Sequence, residues 1–151
     1  MRVWRLCRKA HAAFDGKGSR LYGGRWTRPG TAIVYTAGSA ALAMAEYLVH
    51  LEPRESPHDL VLIAADVPPA IKTRTLEPAT LPSRWRRLPA PEALADLGSR
   101  WAREGKTVVL EVPSAVVPQE FNYLLNPAHP DFRKITIHAP EPFSFDPRLR
   151  K

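Results

Sequence analysis

Cysteine is almost absent from this chain of 151 residues, and so are long apolar runs. The single Cys7 has no partner for an internal disulfide, which favours a reducing compartment. No apolar run reaches the roughly 18 residues that a membrane-spanning helix needs. The opening MRVWRLCRK also lacks the apolar core of a signal peptide. We therefore expect a cytoplasmic protein that does not associate with a membrane.

Motifs typical of several enzyme classes are missing as well. The chain has no Walker A motif, no GxGxxG after a strand, no CxxC and no HExxH, and its five histidines lack ligand spacing. Ser114 does not lie in a GxSxG elbow. These absences disfavour a metal centre, a Rossmann cofactor site and a serine hydrolase. The sequence predicts neither a metal nor a prosthetic group.

The chain is strongly basic, because 22 Lys and Arg residues stand against 15 Asp and Glu residues and give a net charge of +7. This charge favours an anionic partner: nucleic acid, a phosphate-bearing small molecule or an acidic protein. A solvated basic surface explains it equally well, since the charges are scattered and form no basic tail. A non-enzymatic nucleic-acid-binding module is thus an alternative, although the sequence has no helix-turn-helix and no interleaved basic and aromatic motif.

Residues 20–50 contain the most informative local patterns. A glycine-containing basic loop at 22–30 precedes a predicted strand, Thr31–Thr36. Ser39 is a good N-cap for a helix that extends to about Leu51. These three consecutive elements carry Arg25, Tyr35 and Glu46.

The remaining chain predicts short elements within one domain, residues 1–151, large enough to bury a core. Predicted strands are Arg2–Leu6, Leu60–Val67, Thr107–Val112 and Lys134–His138, with an extended piece at 115–117. A helix is predicted from Pro91 to Gly105, and a turn or short helix at 119–125. Loops are predicted at 10–19, 52–59 and 126–132, and the proline-rich 68–91 reads as an ordered loop anchored by Trp85. Strands and helices that do not alternate predict an α+β fold with a mixed or antiparallel sheet.

Four side chains are candidates for chemistry, and each also has an ordinary structural explanation. Glu46 lies near the edge of the apolar arc of its helix and could be a solvated glutamate. Arg25 could bond loop carbonyls, and Tyr35 at a strand end could be a core residue. Ser114 follows a proline and could be a turn serine. None of the four compels a function by itself.

Three separated motifs in order resemble one family. GGRW at 23–26, IVYTAGSAALAMAEYLVH at 33–50 and EVPSAVVPQEFNYLLNPAHPDF at 111–132 are similar to the RES domain, and FSFDPRL at 143–149 resembles its closing motif. The family is named for an Arg, a Glu and a Ser, which match Arg25, Glu46 and Ser114. One departure is Thr27, where the family often has Asn.

The resemblance implies a fold, an activity and a partner. The implied fold is α+β, like the ADP-ribosyltransferases of the diphtheria-toxin type, with a mixed, split β-sheet. The implied protein is the toxin of a bacterial toxin-antitoxin system that degrades NAD⁺ at the nicotinamide–ribose bond by hydrolysis or phosphorolysis, or that transfers ADP-ribose to a specific protein. NAD⁺ is then a substrate, with phosphate as one acceptor. The implied partner is an Xre-family antitoxin, which would make any nucleic-acid contact. The oligomeric state is left open, with a homodimer within a larger complex as one alternative.

Carried over by position, the implied site residues are Arg5, Arg25, Tyr35, Glu46 and Ser114. Cleavage leaves an oxocarbenium-like ribose, so a carboxylate such as Glu46 would hold the ribose hydroxyls and face the positive charge. Arg25, helped by Arg5, would bind the pyrophosphate, and Tyr35 would pack the nicotinamide. Ser114 would either bind substrate or orient Glu46.

Overall fold

All strands in the described part of the chain join one sheet. The computed structural model describes residues 1–150. The strands are β1 (Arg2–Arg8), β2 (Val34–Ala37), β3 (Leu60–Asp66), β4 (Thr73–Thr75), β5 (Val109–Pro113), β6 (Phe121–Leu125), β7 (Thr136–Ile137) and β8 (Glu141–Phe143). The α-helices are α1 (Lys17–Tyr22), α2 (Ala40–Leu48) and α3 (Glu92–Glu104), and 3₁₀ turns form at Lys9–His11, Pro78–Thr80, Pro130–Lys134 and Pro147–Leu149. None of these helices has the length and apolar character to cross a bilayer.

The sheet is mixed, as the sequence predicts for a single α+β domain. Its strand order is β4-β5-β6-β2-β1-β3-β7, and β8 also pairs with β3. The β4–β5 pair is parallel and the other pairs are antiparallel. Hydrogen bonding continues through all eight strands, so the expected split of the sheet is not seen in residues 1–150.

The two faces of the sheet bury different apolar clusters, because successive side chains of a strand point to opposite faces. On one face, Val3 and Cys7 of β1 pack with Phe14 and Ile63. On the other face lie two clusters. One gathers around α2 and includes the residues Leu6, Ala37 and Leu42. The other gathers around α3 and includes the residues Trp26, Trp101, Leu110, Val112 and Leu124. The boundary between the α2 and α3 clusters is where polar side chains collect.

Several predicted elements are confirmed. Strands form at the predicted positions in β1 and β3. Ser39 caps α2 by accepting a hydrogen bond from the Leu42 amide at 3.0 Å. Helix α3 ends at Gly105, which adopts the left-handed conformation at φ +61°. Trp85 is buried, as an anchor of the proline-rich segment should be.

The turn or short helix predicted at 119–125 is wrong, because Phe121–Leu125 forms strand β6 between β2 and β5. Five residues are too few for periodicity to separate strand from helix, and pairing on both edges decides the outcome. Other bounds also shift: β2 starts at Val34 rather than Thr31, α1 lies partly in the predicted loop 10–19, and only Thr136–Ile137 of the predicted last strand is extended. Strands β4 and β8 lie in segments where the sequence predicts loop or tail.

Candidate active site

Helix α2 carries Glu46 to the boundary between the α2 and α3 clusters. Leu42 and Ala43 are buried on the sheet side of the helix, and Glu46 lies one turn further along and is half-buried. Its carboxylate is therefore at the edge of the apolar surface rather than free in solvent. The solvated-glutamate explanation does not describe this position.

Two donors converge on one oxygen of that carboxylate. Ser114 Oγ donates to Glu46 Oε1 at 2.7 Å, and Asn122 Nδ2 donates to the same atom at 2.7 Å. Hydrogen bonds to a charged acceptor are among the stronger ones in proteins. No donor in residues 1–150 hydrogen-bonds the other oxygen, Oε2. The carboxylate is thus held through Oε1 with Oε2 left for an incoming group.

Ser114 is itself fixed by the turn that follows β5. It is fully buried, and its amide donates to the Glu120 carbonyl at 2.9 Å. Its Oγ accepts from the amides of Val116 at 3.1 Å and Val117 at 3.0 Å. Because both lone-pair sites of Oγ are used by amides, its hydroxyl proton is directed to Glu46. Of the two roles that the sequence left open for Ser114, this geometry matches the orientation of Glu46.

Asn122 is a site residue that the sequence reasoning missed. It pairs in register with Ala37 of β2 and Val112 of β5, which belong to the α2 and α3 clusters respectively. Its Oδ1 is the one buried side-chain oxygen or nitrogen without a hydrogen-bond partner in the described chain. Reversing the amide would place Oδ1 against the carboxylate, so the observed orientation is the favourable one. A strand at 121–125 puts Asn122 and Leu124 on one face, and a polar residue on an apolar face is the signal that could have found Asn122.

Arg25 is held beside the site by two backbone carbonyls. Its Nη1 donates to the Trp85 carbonyl at 2.7 Å and to the Arg87 carbonyl at 3.1 Å. Burial lowers the pKa of Arg25, and the negative charge of Glu46 opposes that shift. The guanidinium remains charged at neutral pH, since arginine is not deprotonated in proteins. The structure therefore brings Arg25 within electrostatic reach of Glu46.

Tyr35 is anchored through its hydroxyl on the same face of the sheet. Its ring packs against the α3 cluster, and its Oη is 2.7 Å from Thr27 Oγ1. Burial raises the pKa of Tyr35 to about 12, so the hydroxyl is neutral at physiological pH. A Cβ on Gly24 would lie 2.7 Å from Tyr35 Oη, so glycine permits this close approach. Thr27, the departure from the family pattern, makes the contact that orients Tyr35.

Arg5 is not brought to this cluster. It pairs in register with Ile63 on the face opposite α2, and its guanidinium lies 5.8 Å from the centre of the Phe14 ring. Its Nη1 donates to the His11 carbonyl at 2.6 Å. The substrate-binding role predicted for Arg5 stays a prediction, and these contacts do not support it.

Glu46, Ser114 and Asn122 form a polar site at the junction of the α2 and α3 clusters, and Arg25 lies within electrostatic reach of Glu46. The site offers an oriented carboxylate and a fixed guanidinium, and Tyr35 is joined through Thr27 to the loop that carries Arg25. Residues 1–150 hold no group of three or more His, Cys, Asp or Glu side chains arranged for a metal ion. An arrangement of this kind can bind an anionic ligand through Arg25 and face a developing positive charge with Glu46.

Comparison with known proteins identifies the family. The RES domain model matches residues 2–146. The chain is 38% identical to a Prs ADP-ribosylating toxin of Sphingobium sp., covering 97% of this chain and 94% of that protein. It is 36% identical to Toxin Res of Yersinia enterocolitica, covering 99% of this chain and all of the relative. A chain in the crystal structure of the M. tuberculosis MbcT–MbcA toxin–antitoxin complex has the same fold, with a TM-score of 0.71 at 18% identity, covering 99% of this chain and 86% of that one. The chain therefore belongs to the RES domain family.

Proposed function

We propose that this RES domain is the toxin of a bacterial toxin-antitoxin pair and that it cleaves the nicotinamide–ribose bond of NAD⁺. Relatives at 36–38% identity over almost the whole chain are named toxins, and one is named ADP-ribosylating. The observation that carries the proposal is the Glu46 carboxylate, bonded by two donors at Oε1 and unbonded by the described residues at Oε2.

The chemistry follows from charge. When the bond between the ribose C1′ and the nicotinamide nitrogen breaks, the electron pair leaves with nicotinamide and the ribose becomes oxocarbenium-like. Glu46 Oε2 would accept hydrogen bonds from the ribose hydroxyls and face that cation. Because Ser114 and Asn122 already orient the carboxylate, little reorganisation is needed as the charge develops. Glu46 is therefore the residue that we assign to lowering the barrier.

The substrate's other groups need separate partners. Arg25 is assigned to the pyrophosphate, since a planar guanidinium matches phosphate oxygens bidentately. Tyr35 is assigned to the nicotinamide ring, whose positive charge interacts favourably with an aromatic face.

The acceptor of ADP-ribose distinguishes two candidate activities. Water or phosphate as acceptor would make the protein an NAD⁺ glycohydrolase or phosphorylase; in the first case the water oxygen bonds to C1′ and a proton is released. Transfer to a protein is the second candidate, favoured by the name of the Sphingobium relative. The same Glu46 geometry serves both, since they share the bond that breaks.

A toxin of this kind requires a partner that restrains it in the cytoplasm. The structural neighbour is part of a toxin–antitoxin complex, and on that ground we propose an antitoxin, of the Xre family, that covers the cleft between Arg25 and Glu46. Contact with nucleic acid would then be made through the antitoxin, and a homodimer within the complex remains a proposal. A reconstituted complex should release no nicotinamide, and a fully active complex would contradict the covered cleft.

Labelled NAD⁺ tests the activity and its acceptor together. The purified protein is incubated with NAD⁺ labelled in the adenylate portion, in buffer, with phosphate, and with a bacterial protein extract. Free ADP-ribose indicates hydrolysis, a phosphorylated ADP-ribose indicates phosphorolysis, and label on a protein band indicates transfer. If nicotinamide is released in none of the three incubations, the proposed function is refuted.

A further inference from the structure

Within residues 1–150, the hydrogen bonds of Arg25 occupy only one of its three nitrogens. Both protons of Nη1 go to backbone carbonyls, those of Trp85 and Arg87. A guanidinium has five N–H donors in a rigid plane, so Nε–H and the two protons of Nη2 remain. Nε and Nη2 form one edge of the fork, the edge that takes a carboxylate or phosphate side-on. The two carbonyls thereby select which edge of Arg25 faces a ligand.

The segment that supplies these carbonyls, residues 82–89, is tethered at both sides of the site. Its Trp85 ring is buried 6.4 Å from the ring of Trp26, the residue after Arg25. Its Arg86 Nε donates to the Ala115 carbonyl at 3.0 Å. Ala115 directly follows Ser114, the serine that bonds Glu46. The segment therefore connects the guanidinium side of the site to the carboxylate side, and we call it the clasp.

Inside the clasp, local turns hold the carbonyls in place. The Trp85 amide donates to the Pro82 carbonyl at 3.0 Å, and the Arg87 amide donates to the Arg84 carbonyl at 3.1 Å. These bonds are short-range and the clasp is mostly exposed, so they alone constrain it weakly. The Arg86 bond to Ala115 is the long-range side-chain contact that joins it to the opposite side of the site.

We propose that the clasp orients Arg25 for the substrate's pyrophosphate and that Arg86 is the positioning residue that keeps the clasp closed. This inference rests on the proposed function for the identity of the ligand, but the closure itself does not. It also gives the proline-rich segment, which the sequence describes only as an ordered loop, a defined role. Arg86 acts through the clasp and need not touch the substrate.

If the clasp inhibited Arg25 instead of orienting it, loosening the clasp would change KM in the opposite direction. If the two carbonyls competed with the pyrophosphate for Arg25, loosening the clasp would free the guanidinium and tighten substrate binding. If the clasp orients Arg25, loosening it leaves the guanidinium to sample other directions and weakens binding. The direction of the change in KM therefore separates orientation from inhibition.

The test compares Arg86→Ala with Arg84→Ala and Arg86→Lys. Arg84 lies in the same exposed segment and its removal costs the same charge, whereas its side chain makes no hydrogen bond within residues 1–150. For Arg86→Ala we expect KM for NAD⁺ to rise about three- to tenfold with little change in kcat, since the hydrogen bond that is lost is exposed and acts on Arg25 only through the clasp. Arg84→Ala should stay near the wild type, and Arg86→Lys should recover part of the loss. A lowered KM, or equal effects of Arg84→Ala and Arg86→Ala, would overturn the proposal.

Two further readouts work without turnover. Hydrogen exchange of the peptide covering the clasp in the free protein should be faster in Arg86→Ala than in Arg84→Ala, and unchanged exchange would refute the closure. Calorimetric binding of ADP-ribose, which lacks the scissile bond, should weaken in Arg86→Ala by the same factor as KM. If the wild type releases no nicotinamide, the proposed function fails; exchange then still decides the closure, and ADP-ribose binding still decides the ligand.

Discussion

Replacing Ser114 with alanine tests whether the buried serine serves the carboxylate or only the turn. The substitution removes the donor to Glu46 at 2.7 Å and the acceptor shared by the amides of Val116 and Val117. Ser39→Ala is the matched control, because Ser39 also accepts a backbone amide, that of Leu42 at 3.0 Å, while its hydroxyl donates to Glu120 and not to Glu46. Both variants lose an oxygen that accepts backbone amides, and only Ser114→Ala loses a hydrogen bond to the Glu46 carboxylate.

The expected magnitudes follow from these contacts. A hydrogen bond to a charged group contributes about 1.5–3 kcal/mol, and an unpaired buried group costs about 1–3 kcal/mol. Val116 and Val117, whose amides donate to Ser114 Oγ, are half-buried, so water can replace part of the lost hydrogen bonding. Ser114→Ala should therefore lower the free energy of unfolding by about 2–4 kcal/mol. Loss of an N-cap lowers it by about 0.5–2 kcal/mol in Ser39→Ala. A misoriented Glu46 should reduce kcat about 10- to 100-fold in Ser114→Ala alone.

The assay measures the two quantities separately. Urea unfolding followed by tryptophan fluorescence gives the stability, and nicotinamide release at saturating NAD⁺, at a temperature where every variant is folded, gives kcat. A Ser114→Ala protein with reduced stability and the wild-type kcat would refute the orienting role. A comparable fall of kcat in Ser39→Ala would show that helix α2, rather than the serine contact, controls the site.

Three further predictions address other parts of the molecule. Gly98→Ala should lower the free energy of unfolding by about 3 kcal/mol in a denaturant titration, because the new Cβ would lie 1.8 Å from the Trp26 carbonyl oxygen and backbone must move; a fully stable variant would contradict that packing. Arg25→Lys should raise KM for NAD⁺ because lysine cannot bind phosphate bidentately, and an unchanged KM would count against the pyrophosphate role. Hydrogen bonds from Arg2, and to a lesser extent from His138, hold the pKa of Asp66 well below its usual range. These bonds therefore stabilise the folded state above about pH 4, and that stabilisation is lost as the pH falls further. The melting temperature of Asp66→Asn should therefore lie below that of the wild type at pH 7 and approach it in acid, and a constant gap would refute the linkage.

The sequence predicts the fold best where the pattern is local. Helix α3 has an apolar face and a terminal glycine, and β3 is a continuous apolar run, so both were predictable from their own residues. Strand β6 was not, because its extended state depends on pairing with its neighbour β5 on one edge and with β2, which is distant in sequence, on the other. The missing strand also concealed Asn122.

In the candidate site, too, local motifs were predictable from the sequence and long-range contacts were not. The family motifs single out Glu46 and Ser114 as chemically important, and the structure joins them by a hydrogen bond across 68 residues. Motif position could not reveal that Arg25 is oriented by carbonyls from the proline-rich segment, since any residue type supplies a carbonyl. Nor could spacing show which face of β1 carries Arg5, because that depends on the burial of its neighbours.

The most direct test of the account compares nicotinamide release from NAD⁺ by the wild type and by Glu46→Gln. Glutamine keeps the shape and the acceptor at Oε1 but removes the charge that faces the ribose cation. We expect rapid release by the wild type and a rate lower by about two orders of magnitude or more in the folded variant. Equal rates in the two proteins would contradict the central role of Glu46.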